Sequence, residues 1–572
     1  MDQKKSYEII IVGSGNGACG FLSHYIQANA NNCRPQKVLV IEEGVSFFET
    51  SDIAHQNNWT QSYGQENIFK LHNALNPDDI PIISGRACTM GGGGPINYTM
   101  IHESSEWLSK HVGKTIDYWD QLKVELDKKF KSPDLPLDQS PVTKHVLRKA
   151  QQVGFQSSIS QSDIDGNRTV PSYPEGNANL LHVFPTQFDQ FGQRTYSGVS
   201  FVDWFNQCVE LRTRCRAVQL VFSNDSGDNA RCVGVQVEDL DTGKIECVSL
   251  AADHGKLILC AGAATPRLLL PHKERLRNDE IGQHVSDHIC MPLGLYVLDQ
   301  EIKVTGRDSY IPVFATTVTQ PKQVECATVC CFDFFAGEFE TLSYFISHLY
   351  LTFLLPNWLK KSMLRTPWLF WFTKSLVRLF LLSANFIIEI GVGFHNLRHG
   401  KPWNQAANLI TAIVKFNPVT EGSYSSDSSQ ITLGFFAERE HSHCNPDKEV
   451  AKSVITEQLA LLNSLGEKPN WLFKSFFRLF TKIPYEEKEV EHYVDVYSKR
   501  FLLSEQHLSG GCLFGKAIDT GLNNETDTGR VFGSANVYVA DLASVPLPRI
   551  SPQMTAYLIG FHVARMLCSD NS

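Results

Sequence analysis

Tyr7 to Val12 (YEIIIV) is a continuous apolar, β-branched run that passes without a spacer into Gly13-Ser14-Gly15-Asn16-Gly17-Ala18-Cys19-Gly20, and then into Phe21 to Ala28, where apolar residues recur at helical spacing. A strand, a glycine turn and a helix in that order, followed by the short apolar run Lys37 to Ile41 (KVLVI), make a βαβ unit with two parallel strands. Gly13, Gly15 and Ala18 fit G-x-G-x-x-G/A. The first permits the tight turn, the second lets backbone approach a pyrophosphate, and the third lets helix and strand pack closely. Gly17 lies in the same turn, and Glu42, at the end of the second strand, is the acidic residue expected to bind ribose hydroxyls. The helix N-terminus then offers its amides to negative charge.

A chain of 572 residues has room for two to four domains, and 42% hydrophobic with 20% charged residues is a globular composition. The 52 Lys and Arg against 61 Asp and Glu give a net charge of -9, so no overall basic field exists to hold phosphate backbones, and nucleic acid is not expected as a partner. Fifteen cysteines without a C-x-x-C pair, and a first strand-like run that leaves no room for a signal peptide, favour a reducing compartment: cytoplasmic, or peripheral on an intracellular membrane. His441-Ser442-His443-Cys444 has zinc-like ligand types but no second cluster to complete four ligands, so no metal is expected.

Four adjacent glycines, Gly91 to Gly94, follow Arg86 and precede Pro95-Ile96-Asn97-Tyr98, and read as backbone brought close to something bulky. Val209 to Leu259 alternates short β-rich runs (VELRT, VQLVF, CVGVQVEDL, KIECVSL, GKLILC) with polar turns, an antiparallel patch returning to a buried strand at Lys256 to Cys260. The tail adds a strand at Val537 to Ala540 and a helix from about Pro552 to Leu567. The expected class is α/β: a Rossmann-like domain assembled from both chain ends (residues 1–295 and 505–572), with a second, α+β substrate domain of aromatic-rich helices over 296–504. Thr341 to Leu359 carries no formal charge but contains Ser343, Ser347, His348, Pro356 and Asn357, which argues against a membrane span.

Five ordered blocks resemble the glucose-methanol-choline (GMC) family of FAD oxidoreductases. They are the N-terminal fingerprint ending in VIEEG; Gly85-Arg86 with the glycine cluster and Ile96-Asn97; Ala261-Gly262-Ala263 with Thr265-Pro266 and Leu268-Leu269; Gly282-Gln283 with Asp287-His288; and the tail. That tail reads His507-Leu508-Ser509-Gly510-Gly511-Cys512, then Val539-Ala540-Asp541, then Ser551-Pro552-Gln553-Met554-Thr555. The His-x-x-Gly-Gly-Cys wording looks closest to the cholesterol oxidase branch.

The resemblance implies FAD, beside the Gly91 to Asn97 loop and under the C-terminal helix. The cofactor-binding residues it points to are Gly13, Gly15, Gly17, Ala18, Glu42, Arg86, Gly91, Gly92, Asn97, Tyr98, Ala217, Gly262, Asp541, Pro552 and Gln553. Ile96 stands where some members carry a flavin-linking histidine, which implies noncovalent FAD. His507 corresponds to the active-site base, taking the hydroxyl proton of an alcohol while hydride leaves for flavin N5. Ser551 departs from the His or Asn of the second catalytic position. It reads equally as a helix cap, with Gln553 as a longer donor in compensation.

Two stretches, Trp471 to Lys482 (WLFKSFFRLFTK) and Trp368 to Leu382 (WLFWFTKSLVRLFLL), edge aromatic faces with Lys and Arg; Lys374 and Arg378 serve the second, behind a basic cluster at Lys360, Lys361 and Arg365. They suit either a membrane interface or the roof of a substrate pocket. The expected reaction is oxidation of a hydroxyl on an apolar small molecule (sterol, terpenoid or long-chain alcohol), with oxygen or another carrier as electron acceptor. A lyase, decarboxylase or isomerase on the same scaffold is the alternative.

Overall fold

The computed structural model describes most of residues 5–569; the main segments outside the described residues are 31–36, 50–61, 98–104, 131–144, 158–179, 184–203, 299–313, 336–342, 401–408 and 438–444. The chain enters in β1 (Ile9–Val12), turns through the glycines into α1 (Asn16–Ala28) and returns in β2 (Val38–Ile41). It next contributes β3 (Glu210–Arg212), then β4 (Cys215–Phe222), β5 (Cys232–Asp239), β6 (Ile245–Leu250) and β7 (Lys256–Leu259). Later come β8 (Ile289–Pro292), β9 (Phe314–Thr319), β10 (Glu325–Phe335), α2 (Pro367–Arg398), β11 (Leu409–Phe416), α3 (Pro446–Leu465), β12 (Val537–Val539) and α4 (Pro552–Leu567).

Both chain ends meet in one parallel sheet of order β3-β2-β1-β7-β12. All residues of β1 and β2 are buried, which is why these strands read as unbroken apolar runs rather than alternating ones. β4, β5 and β6 form the expected antiparallel patch. Glu210–Arg212, assigned from sequence to that patch, instead extends the parallel sheet beside β2: its short run carries no periodicity that distinguishes one sheet from the other.

The two terminal elements are locked by close backbone approach. A Cβ on Gly20 of α1 would stand 2.1 Å from the Tyr557 carbonyl oxygen, and one on Gly560 of α4 would stand 1.9 Å from that of Gly17. Only glycine lets the two helices pack this tightly.

A second sheet runs from Gly466–Glu467 through Tyr296–Leu298, β11, β10, β9 and Leu180–Val183 to Gln156–Ser157, with β8 also pairing β11. Its strands come from both sides of residue 295, so the sheet does not follow that sequence boundary. β8 and β11 carry the sheet to the mouth of the cleft described next.

α2 reverses part of the expected amphipathic pattern. Trp368, Phe372, Leu376, Leu379 and Phe380 lie exposed on one face, whereas Lys374 is buried over the Phe370 and Trp371 rings with Nζ 3.4 Å from His348 Nδ1. Arg378 turns its Nε to the Ser343 hydroxyl at 2.9 Å. Lys360 is likewise buried and donates to the Arg500 carbonyl. Position on a helical wheel marks these cations as an edge, but local carbonyls and rings draw them inward. Among the described residues no helix is long and apolar enough to cross a membrane. Most of Trp471 to Lys482, and all of His441 to Cys444, lie outside the described residues.

Candidate active site

The C-terminal ends of the parallel strands open into a cleft of about 580 Å³. That is where ligands bind in open α/β sheets. Gly13 makes the turn out of β1 at φ +93°, and a Cβ there would sit 2.4 Å from the Cys260 carbonyl oxygen. Gly15 and Gly93 differ: a Cβ on Gly15 would meet only the Gly92 Cα, at 3.8 Å, and one on Gly93 would meet nothing within 4 Å. Both line the cleft, so the space a side chain would fill is left open as a cradle.

Glu42 and Ser14 tie the two glycine clusters together. One Glu42 oxygen accepts from the Ser14 amide (2.9 Å) and hydroxyl (2.6 Å), the other accepts from the Gly44 amide (2.7 Å), and Ser14 Oγ accepts from the Gly91 amide (3.1 Å). Burial pushes the Glu42 carboxyl up, and the bonds from Ser14 and Gly44 pull the other way. Asp541, just past β12, is similar: Oδ2 accepts from the Gly262 amide (2.7 Å) and the Thr265 hydroxyl (2.6 Å), and Oδ1 from the Ala543 amide (2.8 Å). Burial raises it to about 6. Both carboxylates thus spend most of their acceptor capacity on shaping the loops.

Arg86 is paired with Glu43, which also takes Lys70 at 2.6 Å. Burial alone would raise the Glu43 carboxyl, but the two cations outweigh it and hold it near 2. Ala217 lies at a register shift in β4, a bulge that bends the strand edge at the cleft.

At the other end, α4 directs its first turn into the cleft through Ser551, Pro552, Gln553 and Ala556. Ser551 holds the N-cap backbone position, but its side chain makes no capping bond. Gln553 Oε1 accepts from Asn97 Nδ2 at 2.6 Å, joining the glycine loop to the helix start. The positive end of the α4 dipole therefore faces the cleft.

His507 lies in this corner, partly exposed to the cleft. Its Nδ1 is 2.9 Å from Nδ1 of His288, with the rings edge to face. Asp287 fixes both residues from behind, its Oδ1 accepting from the His288 amide (2.8 Å) and the His507 amide (2.9 Å). Burial, then the charges of Lys415 and His288, hold the His507 imidazole well below its ordinary range, so it stands neutral. For neutral His507 to act as a base at Nε2, its Nδ1–H must donate to His288. Lys415 and Glu505 complete the wall.

Of the residues expected from sequence, Gly13, Gly15, Gly17, Glu42, Arg86, Gly92, Asn97, Ala217, Gly262, His507, Asp541, Ser551, Pro552 and Gln553 line this one cleft. Ala18 and Gly91 stand behind it, Ala18 fully buried under the sheet and Gly91 bonded to Ser14; Tyr98 lies outside the described residues. Sequence reasoning passed over Ser14, Glu43, Lys415, Glu505 and, as site residues, Asp287 and His288. Lys415 had a visible signal, a cation in the apolar run LITAIVKF, and Glu505 lies two positions before His507. Among the described residues no cluster of His, Cys, Asp and Glu could hold a metal.

Residues 430–560 match the family model of the GMC oxidoreductase C-terminal domain. No curated protein matches the chain at a significant level. Among solved structures, a formate oxidase variant of Aspergillus oryzae RIB40 superposes with a TM-score of 0.65 at 15% identity over 99% of both chains. Pyridoxine 4-oxidase from Mesorbium loti gives 0.61 at 14% identity, over 98% of this chain and 99% of its own. A fungal aryl-alcohol oxidase gives 0.54 at 15% identity, over 99% and 100%. At these identities the structural likeness is one of fold. With the matched C-terminal domain, it supports an FAD-dependent oxidoreductase of GMC type acting on alcohol-type groups.

Proposed function

We propose that the protein holds FAD noncovalently in this cleft and oxidises the hydroxyl group of an apolar substrate, with His507 as the base. The open cradle at Gly15 and Gly93, between a fingerprint turn and a helix N-terminus, carries the reading. It suits a pyrophosphate at one end and an electron-accepting ring at the other. Gly13, Gly15, Gly17, Gly92 and Ala217 would border the cofactor, with Gly262 and Asp541 shaping the opposite wall. FAD bound there supplies the acceptor, at N5, for the hydride of the carbinol carbon. Buried Ile96 offers no side-chain atom for a covalent link.

Neutral His507 takes the hydroxyl proton at Nε2 while His288 keeps the ring oriented. Ser551 and Gln553, at the mouth of α4, are placed to contact substrate oxygen. Leu503, Leu508 and Ile413 give the substrate end an apolar lining, which favours a sterol, terpenoid or long-chain alcohol, in keeping with the cholesterol oxidase wording of the tail. The experiment is anaerobic mixing of the yellow holoprotein with such alcohols: bleaching of the flavin supports the reading, and an unchanged spectrum with all of them, or colourless protein, overturns it.

The exposed face of α2 supports contact with a bilayer surface. Trp368 and Phe372 are 65% and 57% exposed, and no Asp or Glu occurs from Thr341 to Ile388, so the face presents aromatic rings without like-charge repulsion from anionic headgroups. Cosedimentation with phosphatidylserine-containing vesicles tests this: Trp368→Ser with Phe372→Ser should reduce binding at least tenfold, and unaltered binding refutes the assignment.

A further inference from the structure

Lys415 is a charged group of the cleft wall that the reading above leaves without a task. It lies on β11, opposite Cys290 of β8, and its side chain is only 1% exposed. The nearest carboxylate oxygen, Glu505 Oε2, is 3.7 Å away, too far for a hydrogen bond, and among the described residues Lys415 Nζ makes none. An ammonium removed from water with none of its three donors engaged is costly to keep. It lines the same cleft as His507 and is near enough for its charge to act on that imidazole. Ser551, at the start of α4 in the same cleft, has a much shorter side chain.

We propose that Lys415 donates a hydrogen bond to the substrate oxygen that His507 deprotonates, holding the negative charge that develops there. The inference rests on the reading of the cleft as a site of FAD-dependent alcohol oxidation. The O–H bond breaks and its proton passes to His507; the C–H bond breaks and its electron pair leaves with the hydride for FAD. The C–O bond becomes a carbonyl, and Lys415 keeps its protons throughout. Because Glu505 balances its charge, the pair offers a strong donor without net attraction for anions. That suits a neutral primary or secondary alcohol and disfavours a carboxylic acid.

The test is anaerobic rapid-mixing of holoenzyme with a long-chain alcohol, comparing wild type, the double variant Lys415→Met/Glu505→Gln, which leaves no lone buried charge, and Lys415→Arg. Loss of a preorganised oxyanion donor costs about 100-fold to 1,000-fold in rate. The double variant should therefore lose at least 100-fold in flavin reduction at saturating alcohol while keeping its oxidised-flavin spectrum. The acid limb of its rate profile should also move to higher pH, because a cation that opposes His507 protonation is gone. Lys415→Arg should stay within tenfold of wild type. A double variant within threefold of wild type with an unmoved acid limb overturns the proposal. If the double variant does not retain flavin, an arginine variant that reduces 100-fold slower overturns it instead. His507→Ala separates the two levels: if it too reduces flavin normally, the underlying reading fails; if it alone is inactive, only the role of Lys415 fails.

Discussion

The two ends of the cleft treat buried charge in opposite ways. At the fingerprint end, Glu42 and Asp541 each accept three hydrogen bonds from the chain's own amides and hydroxyls, so the loops are rigid before any ligand arrives. At the other end, Lys415 and Glu505 stand 3.7 Å apart and His507 presents a partly exposed ring. Saturated groups define a shape, whereas groups with spare capacity remain available for chemistry. On the proposed function, the contrast puts binding at one end and reactivity at the other.

The most severe break of this contrast is at the reactive end. His507→Ala should slow flavin reduction about 100-fold to 10,000-fold, the range of general-base catalysis, without changing the amount of FAD bound. Lost flavin would mean that the residue belongs to the binding end after all. Gly13→Ala should do the reverse: holding a non-glycine residue at φ +93° costs about 1–3 kcal/mol, and the Cβ must also displace the Cys260 carbonyl. Poor folding or FAD-free protein is expected, read by thermal melting and the visible spectrum.

Glu42→Gln is milder. Its amide turns an N–H toward donors that need an acceptor, a penalty of about 1–3 kcal/mol, and should weaken FAD retention in dialysis while leaving the reduction rate of the loaded fraction unchanged. The smallest effect is on pH dependence. A His507 imidazole held well below 6.5 remains neutral as pH falls through that value, so the reduction rate should stay level from pH 8 to 6.5. A half-maximal point at or above pH 6.5 would show that the ring is not shielded as described.

The binding end was legible in the sequence because its determinants are contiguous: a strand, a glycine turn and a helix announce themselves by order. The junction of the chain ends was also legible, since Val537 to Ala540 and Pro552 to Leu567 each carry the period of their element. The reactive corner was only half visible. His507 was reached through family wording, but its partner His288 is 219 positions away, and Lys415 approaches from another sheet. Nothing local specifies such meetings. The inward turn of Lys374 on α2 was hidden in part for the same reason: the Phe370 and Trp371 rings belong to its own helix, but His348 meets it from 26 positions away.

The seam between α1 and α4 has a consequence for biosynthesis. Since β12 and α4 lie far downstream of β7 and α1 in the sequence, the growing polypeptide displays β7 as an unfinished edge and α1 with a bare glycine groove until that downstream stretch has emerged. Such an edge invites pairing with the wrong strand. Premature termination anywhere before Val537 would therefore leave this sheet without its β12 edge.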